Sequence, residues 1–169
     1  MPDRDLGPAL DAVVIATESI ESVPARQLIA ELDAHLTSIY PPEQAFIELP
    51  SEHVSDGRGA FLVARVGGAQ GEGVACGAVR LLDPATAEIK RMYVVPAARG
   101  HGLSRKMLDA LETQARRLGA ARIVLETGDR QIAAIGLYES AGYSHIPAFS
   151  PYTTSPASVC FAKDLGPLA

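Results

Sequence analysis

The chain of 169 residues has only two cysteines, Cys76 and Cys160. Two thiols cannot build a disulfide framework or a thiolate metal cluster. Both stand in apolar, strand-like runs, so they read as buried free thiols. Long apolar runs are missing as well; none approaches the ~20 residues that span a bilayer. There is no basic excess: 15 Lys and Arg face 20 Asp and Glu, a formal net charge of −5. With no basic tail or acidic block, neither nucleic acid nor a membrane is expected as a partner. The opening MPDRDLGPAL is acidic and broken by proline, unlike a secretory leader, so a reducing cytoplasm is the expected compartment. Internal repeats and low-complexity tracts are absent too. His35, His53 and His145 show no ligand spacing, so no metal is expected.

What remains is a chain that is 47% hydrophobic, enough for a core, and of a length that suits one domain over residues 1–169. Asp11 to Glu18 reads as a strand. After Val23-Pro24, Leu28, Leu32, Leu36 and Ile39 recur at helical steps, and Pro41-Pro42 stops that helix. An irregular stretch with one short helix follows. Residues 61–66, 74–82 and 87–95 read as three closely spaced, antiparallel strands. Gly102 to Leu118 reads as a helix with Gly119 just past its end. Residues 121–127 form a buried strand, 131–141 a shorter helix, and 143–149 and 159–165 two last strands. The expectation is a mixed α/β (α+β) domain with a mostly antiparallel sheet of six to seven strands flanked by about four helices.

The informative stretch is VVPAARGHGLSRKML, residues 94 to 108. It joins a strand to a helix N-terminus, where free N–H groups and the helix dipole favour an anion. Gly100 and Gly102 let backbone approach that anion, and Arg99 and Arg105 add charge. A P-loop would need a glycine-lysine-serine/threonine ending, which is absent. A dinucleotide loop would need a third glycine where Arg105 stands, and a parallel βαβ unit around it. An ordinary strand-to-helix turn with surface arginines is the bland alternative.

Val94, Pro96, Arg99, Gly100, Gly102 and Ser104 fit V-x-P-x-x-R-G-x-G-x-S, which resembles the acetyl-coenzyme A motif of the GCN5-related N-acetyltransferase (GNAT) superfamily. LETGDRQIAAIGLYESAGY, residues 125 to 143, resembles the later motif of the same family. The order of elements is similar nearly end to end, and the wider pattern is similar to a bacterial, small-molecule branch. Two positions depart from the pattern: Ser104 stands where Gly or Ala is usual, and Gln131 where Asn is usual.

The resemblance implies acetyl-CoA as cosubstrate and an amine as acceptor, with transfer by direct attack in a ternary complex. It implies that backbone from Arg99 through His101, Leu103 and Ser104 to Arg105 cradles the pyrophosphate. Met92 and Val94 would pair with the pantetheine arm as an added strand, and Gln131 and Tyr138 would face the cofactor. Tyr138 is the candidate acid for the leaving thiolate. For the base, Glu126, Glu88 and a chain of water stay open. Glu126 stands mid-strand in IVLET, where an unpaired carboxylate is expensive. Tyr40, Glu43, His53, Phe149 and Tyr152 are the residues the early helices and late loop offer to the acceptor. A protein N-terminal or lysine acetyltransferase, and a non-catalytic acyl-CoA sensor, are the rival readings. A homodimer is expected from the family, with the final strand available for the interface.

Overall fold

The computed structural model describes residues 6–44 and 49–166. Strand β1 is Val13–Thr17. Helix α1, Val23–Ile39, starts where the Ser22 hydroxyl accepts from the Ala25 N–H at 3.2 Å, with proline in the first turn. Its buried face is Ala25, Leu28 and Leu32, at the spacing the sequence shows. Strands β2 (Gly59–Val66), β3 (Glu72–Leu81) and β4 (Thr86–Val94) follow. Then come α2 (Leu103–Arg117), β5 (Arg122–Gly128), α3 (Ile132–Ser140), β6 (Ser144–Ile146) and β7 (Ser158–Asp164). The described residues thus hold three α-helices; the short helix expected between α1 and β2 is a 3-10 turn at Ser51–Val54. β6 is shorter than residues 143–149 because Pro147 has no N–H for a ladder.

The sheet has seven strands in the order β1-β2-β3-β4-β5-β7-β6. Every pair is antiparallel except β4 with β5, which α2 connects. β7 lies between β5 and β6, with β6 pairing only along Cys160 to Ala162 of the final strand. The core gathers Leu28 of α1, Phe61 of β2, Met107, Leu108 and Leu111 of α2, Ile123 and Leu125 of β5 and Phe161 of β7, all essentially inaccessible. Each such side chain contributes about 1.5–3 kcal/mol through burial. No described helix is long and apolar enough to cross a membrane.

Two irregularities in β4 place the functional region. β4 pairs with β5 only from Thr86↔Arg122 to Ile89↔Leu125; past that point the two strands part. On its other side β4 carries a bulge. Ala78 faces Lys90 and Cys76 faces Tyr93, so Gly77 stands opposite both Arg91 and Met92. Arg91 takes φ +58°, a conformation that costs a non-glycine residue of order 1–3 kcal/mol. A side chain on Gly77 would come within 2.7 Å of Leu111 and 3.4 Å of Met92, so glycine leaves room for both there. The bulge sends neighbouring side chains different ways. Arg91 meets Asp33 of α1 at 2.6 Å, and the Tyr93 hydroxyl lies 3.4 Å from Glu31, while Met92 turns toward α3.

Candidate active site

A cavity of about 380 Å³ sits where β4 and β5 part. Its lining includes Leu32, Leu36 and Tyr40 from α1, Ile89 to Met92 from β4, and Glu126 to Gly128 from β5. Gln131, Ala134 and Tyr138 come from one face of α3, and residues 154–158 close the far side with Tyr152.

Tyr138 is buried, and its hydroxyl lies 3.7 Å from the Met92 sulfur. Burial, and then the Glu126 charge, push the phenol well above its ordinary pKa. Glu126 points into the same cavity and accepts from the Ser158 hydroxyl at 2.7 Å. Burial raises the Glu126 carboxyl above its usual range; Ser158 and Lys90 pull the other way, and Glu88 adds to the rise.

Glu88 is differently placed. It is 1% exposed and is not among the residues lining the cavity. Arg80 donates to its Oε2 from Nε and holds it in an ion pair through Nη2, both at 2.8 Å. The Tyr152 hydroxyl donates to its Oε1 at 2.6 Å. Tyr152 in turn accepts from Lys90 Nζ at 3.0 Å, and Arg80 Nη1 lies 2.9 Å from His53 Nδ1. Burial pulls the Lys90 ammonium below its usual pKa, with Glu88 acting in the opposite sense.

The remaining acceptor candidates divide. Tyr40, Glu43 and Tyr152 line the cavity, with Glu43 exposed at its rim. Phe149 does not line it, and instead packs edge-on against Tyr152 at 5.2 Å. Tyr40 accepts the Arg130 N–H at 2.9 Å, and the Arg130 guanidinium bonds the Ile39 carbonyl at 2.8 Å.

At the other end, β4 runs into the glycine loop through a 3-10 turn, Pro96–Ala98. Gly100 and Gly102 have φ +80° and +73°, and a Cβ at either would meet nothing within 4 Å. The glycines thus serve backbone conformation and leave open space in front of α2. Gly102 caps α2 without any side-chain hydrogen bond, so its first-turn N–H groups stay available. Arg99 Nε donates to the Val94 carbonyl at 3.0 Å, and its guanidinium stacks 5.8 Å above Tyr93. His101 Nδ1 lies 2.9 Å from the Arg99 carbonyl, and Arg105 bonds the Ser140 hydroxyl. Leu103 is buried beneath the loop, and Ser104 is half-buried in the first turn of α2. Gln131 makes no capping bond to α3 and faces the cavity.

The structure adds residues that sequence reasoning passed over: Lys90, Arg91 and Ser158, all on the cavity. A lysine inside the strand EIKRMYV was the visible signal for the first. Nothing local marked Ser158, which reaches Glu126 through the β5–β7 pairing.

Known proteins resemble this arrangement. The model of the acetyltransferase (GNAT) family matches residues 25–143. An Azospirillum brasilense protein named IAA acetyltransferase is 38% identical over 155 residues, covering 90% of this chain and 98% of that one. A solved Klebsiella pneumoniae structure, described as an acyl-CoA N-acyltransferase, is 36% identical with a TM-score of 0.76, covering 91% of this chain and 98% of the other. The fold is also that of Salmonella typhimurium yncA, solved with acetyl-CoA, at 19% identity and a TM-score of 0.64, over 94% of this chain and 96% of that one. The strand order, the parted β4 and β5, the family match and these relatives agree: the chain is an acyltransferase and belongs to the GNAT acetyltransferase family.

Proposed function

We propose that the protein is an acetyl-CoA-dependent N-acetyltransferase that acylates the primary amine of a small molecule by direct attack in a ternary complex. The observation that carries this reading is the opening past Ile89 and Leu125, with Glu126 and Tyr138 both facing it. The cavity volume lies in the range of small-molecule sites.

The residues present fit acetyl-CoA. The uncapped start of α2 and the open space before Gly100 and Gly102 suit a pyrophosphate, with Arg99, His101 and Arg105 beside it. Ser104 keeps its N–H in the first turn, so it suits the role that Gly or Ala fills elsewhere in the motif. Met92 and Val94 lie on the stretch of β4 that lacks a β5 partner, where an extended arm can add as a strand. When bound, the thioester supplies an activated acetyl group. A backbone N–H near Met92 is the candidate donor to its oxygen, a contact worth about 3 kcal/mol in comparable sites.

Glu126 acts as the base. Its raised pKa brings it closer to neutrality, and Ser158 holds its orientation. Tyr138 donates the proton that the departing thiolate takes; its own elevated pKa keeps it protonated until that moment. Glu88, already engaged by Arg80 and Tyr152, supports the cavity wall. Direct transfer is favoured over an acetyl-enzyme because neither buried cysteine lines the cavity, and burial pushes the Cys76 thiol up to about 12.

The test has two arms. Coenzyme A should raise the melting temperature by linkage; no shift at millimolar concentration refutes the cofactor assignment. Thiol release from acetyl-CoA is then followed against small amines, IAA, and peptides with free N-termini or lysines. Turnover confined to peptides would replace the small-molecule reading, and none with any acceptor would favour a sensor.

A further inference from the structure

Among the described residues, Lys90 is the cation lining this cavity that has no carboxylate within ion-pair distance. Arg91 beside it meets Asp33 at 2.6 Å, and Arg80 behind it meets Glu88 at 2.8 Å. The Lys90 ammonium has no carboxylate within ion-pair distance among the described residues, and its one hydrogen-bond partner there is the Tyr152 hydroxyl.

The direction of that bond is fixed from behind. Arg80 holds Glu88 as a carboxylate, which can only accept. Tyr152 must therefore spend its hydroxyl proton on Glu88, at 2.6 Å, and can offer Lys90 only a lone pair, at 3.0 Å. Lys90 is thus oriented as a donor and keeps two more N–H bonds to give. A partly buried ammonium in this condition is expensive, and desolvation already acts against its charge. An anion arriving in the cavity would relieve that cost.

The opposite sign is present in the same cavity. Glu126 carries the carboxylate that suits an amine, and Lys90 lies close enough to influence its charge. A molecule bridging the two has an amine at one end and an anion at the other.

Resting on the acceptor reading given above, we propose that the acceptor is an amine that also bears a carboxylate, an amino acid or close analogue, and that Lys90 is its specificity-determining anchor. Glu88 and Tyr152 are positioning residues that aim Lys90.

The experiment compares matched acceptor pairs: phenylalanine with phenethylamine, methionine with 3-(methylthio)propylamine, leucine with isoamylamine, and each amino acid with its amide. Thiol release from acetyl-CoA gives kcat and KM for the wild type and for Lys90→Met and Lys90→Arg. The wild type should favour at least one amino acid over both its decarboxylated and amide partners by about 10-fold or more in kcat/KM, the scale of one charge-assisted contact. In Lys90→Met that ratio should collapse toward unity, chiefly through KM for the amino acid. Lys90→Arg should recover part of it. The coenzyme A melting shift, measured on each variant, certifies folding and cofactor binding.

Decarboxylated amines or amides turned over as well as the amino acids would overturn the proposal while leaving N-acetylation intact. So would a Lys90→Met variant that loses turnover on all acceptors equally, since that marks a role in proton transfer. If no amine of either kind is acetylated, this proposal and the acceptor reading fall together, and the coenzyme A shift decides the cofactor assignment separately.

Discussion

The phenol of Tyr40 occupies the space that a side chain on Gly128 would need. One residue ends α1 and the other ends β5, so this contact joins the two walls of the cavity. The same hydroxyl takes the Arg130 N–H at 2.9 Å, which fixes the turn leading to α3. The position of Tyr138 thus depends on a glycine ten residues before it.

Gly128→Ala should force Tyr40 out of place and lower stability by about 1–3 kcal/mol, the usual cost of overpacking. Urea denaturation measures it. Tyr40→Phe should cost about 1 kcal/mol or more by stranding the Arg130 N–H. A Gly128→Ala protein as stable as the parent would show that Tyr40 has another place to go.

Tyr138→Phe removes the hydroxyl proton positioned beside Met92. Turnover should fall roughly 10²-fold, at the lower end for general acids. The coenzyme A melting shift should stay. Full turnover with a good acceptor would mean that the thiolate leaves without this phenol.

Glu126 links activity and stability in opposite directions. Its folded pKa lies above the ordinary 4.5, raised chiefly by burial. Between those two values the folded state keeps a proton that the unfolded state has lost, so stability falls as pH rises through that window. Glu126→Gln, which carries no charge, should therefore be more stable than the parent at pH ~7, with the gap closing below pH ~4. It should also lose most turnover. Denaturation at both pH values, with activity assays alongside, checks the pair of effects.

Ser158→Ala tests the same carboxylate from its partner's side. The serine favours the charged form, through its 2.7 Å bond. Without it the Glu126 pKa should climb further, and the acidic limb of kcat/KM should move to higher pH. A limb that stays in place would assign it to another group.

Gly102→Ala should act through backbone alone, since a Cβ there meets nothing within 4 Å at φ +73°. The strain should cost about 1 kcal/mol and weaken coenzyme A binding by roughly 10-fold. Ser104→Ala, by contrast, should leave that affinity within about 2-fold, because the contact expected of residue 104 is its N–H. Isothermal titration with coenzyme A reads both.

The glycine loop, the helices and most strands were legible because each rests on local pattern. Gln131, Ala134 and Tyr138 share a helix face, and three- and four-residue spacing shows that without coordinates. The pairing around Glu126 was not legible. Ser158 lies 32 residues away and arrives by strand register, which alternation along β7 does not reveal. β4 misleads in another way. Strict alternation puts Lys90 and Met92 on one face, but the extra residue at the bulge breaks the period, and the two side chains part toward Tyr152 and Tyr138. Glu88 and Glu126 look alike as lone acids in apolar strands. Only the distant Arg80 and Ser158 tell them apart.

The short β4–β5 pairing leaves an exposed edge inside the sheet rather than at its rim. Free strand edges invite pairing with other chains, which is a hazard when they face solvent. Here the edge borders an interior cavity lined in part by Leu32, Leu36 and Tyr138. The backbone groups that a longer β4–β5 ladder would spend on each other are left for a guest, so the gap that weakens the sheet is also where a ligand can complete it.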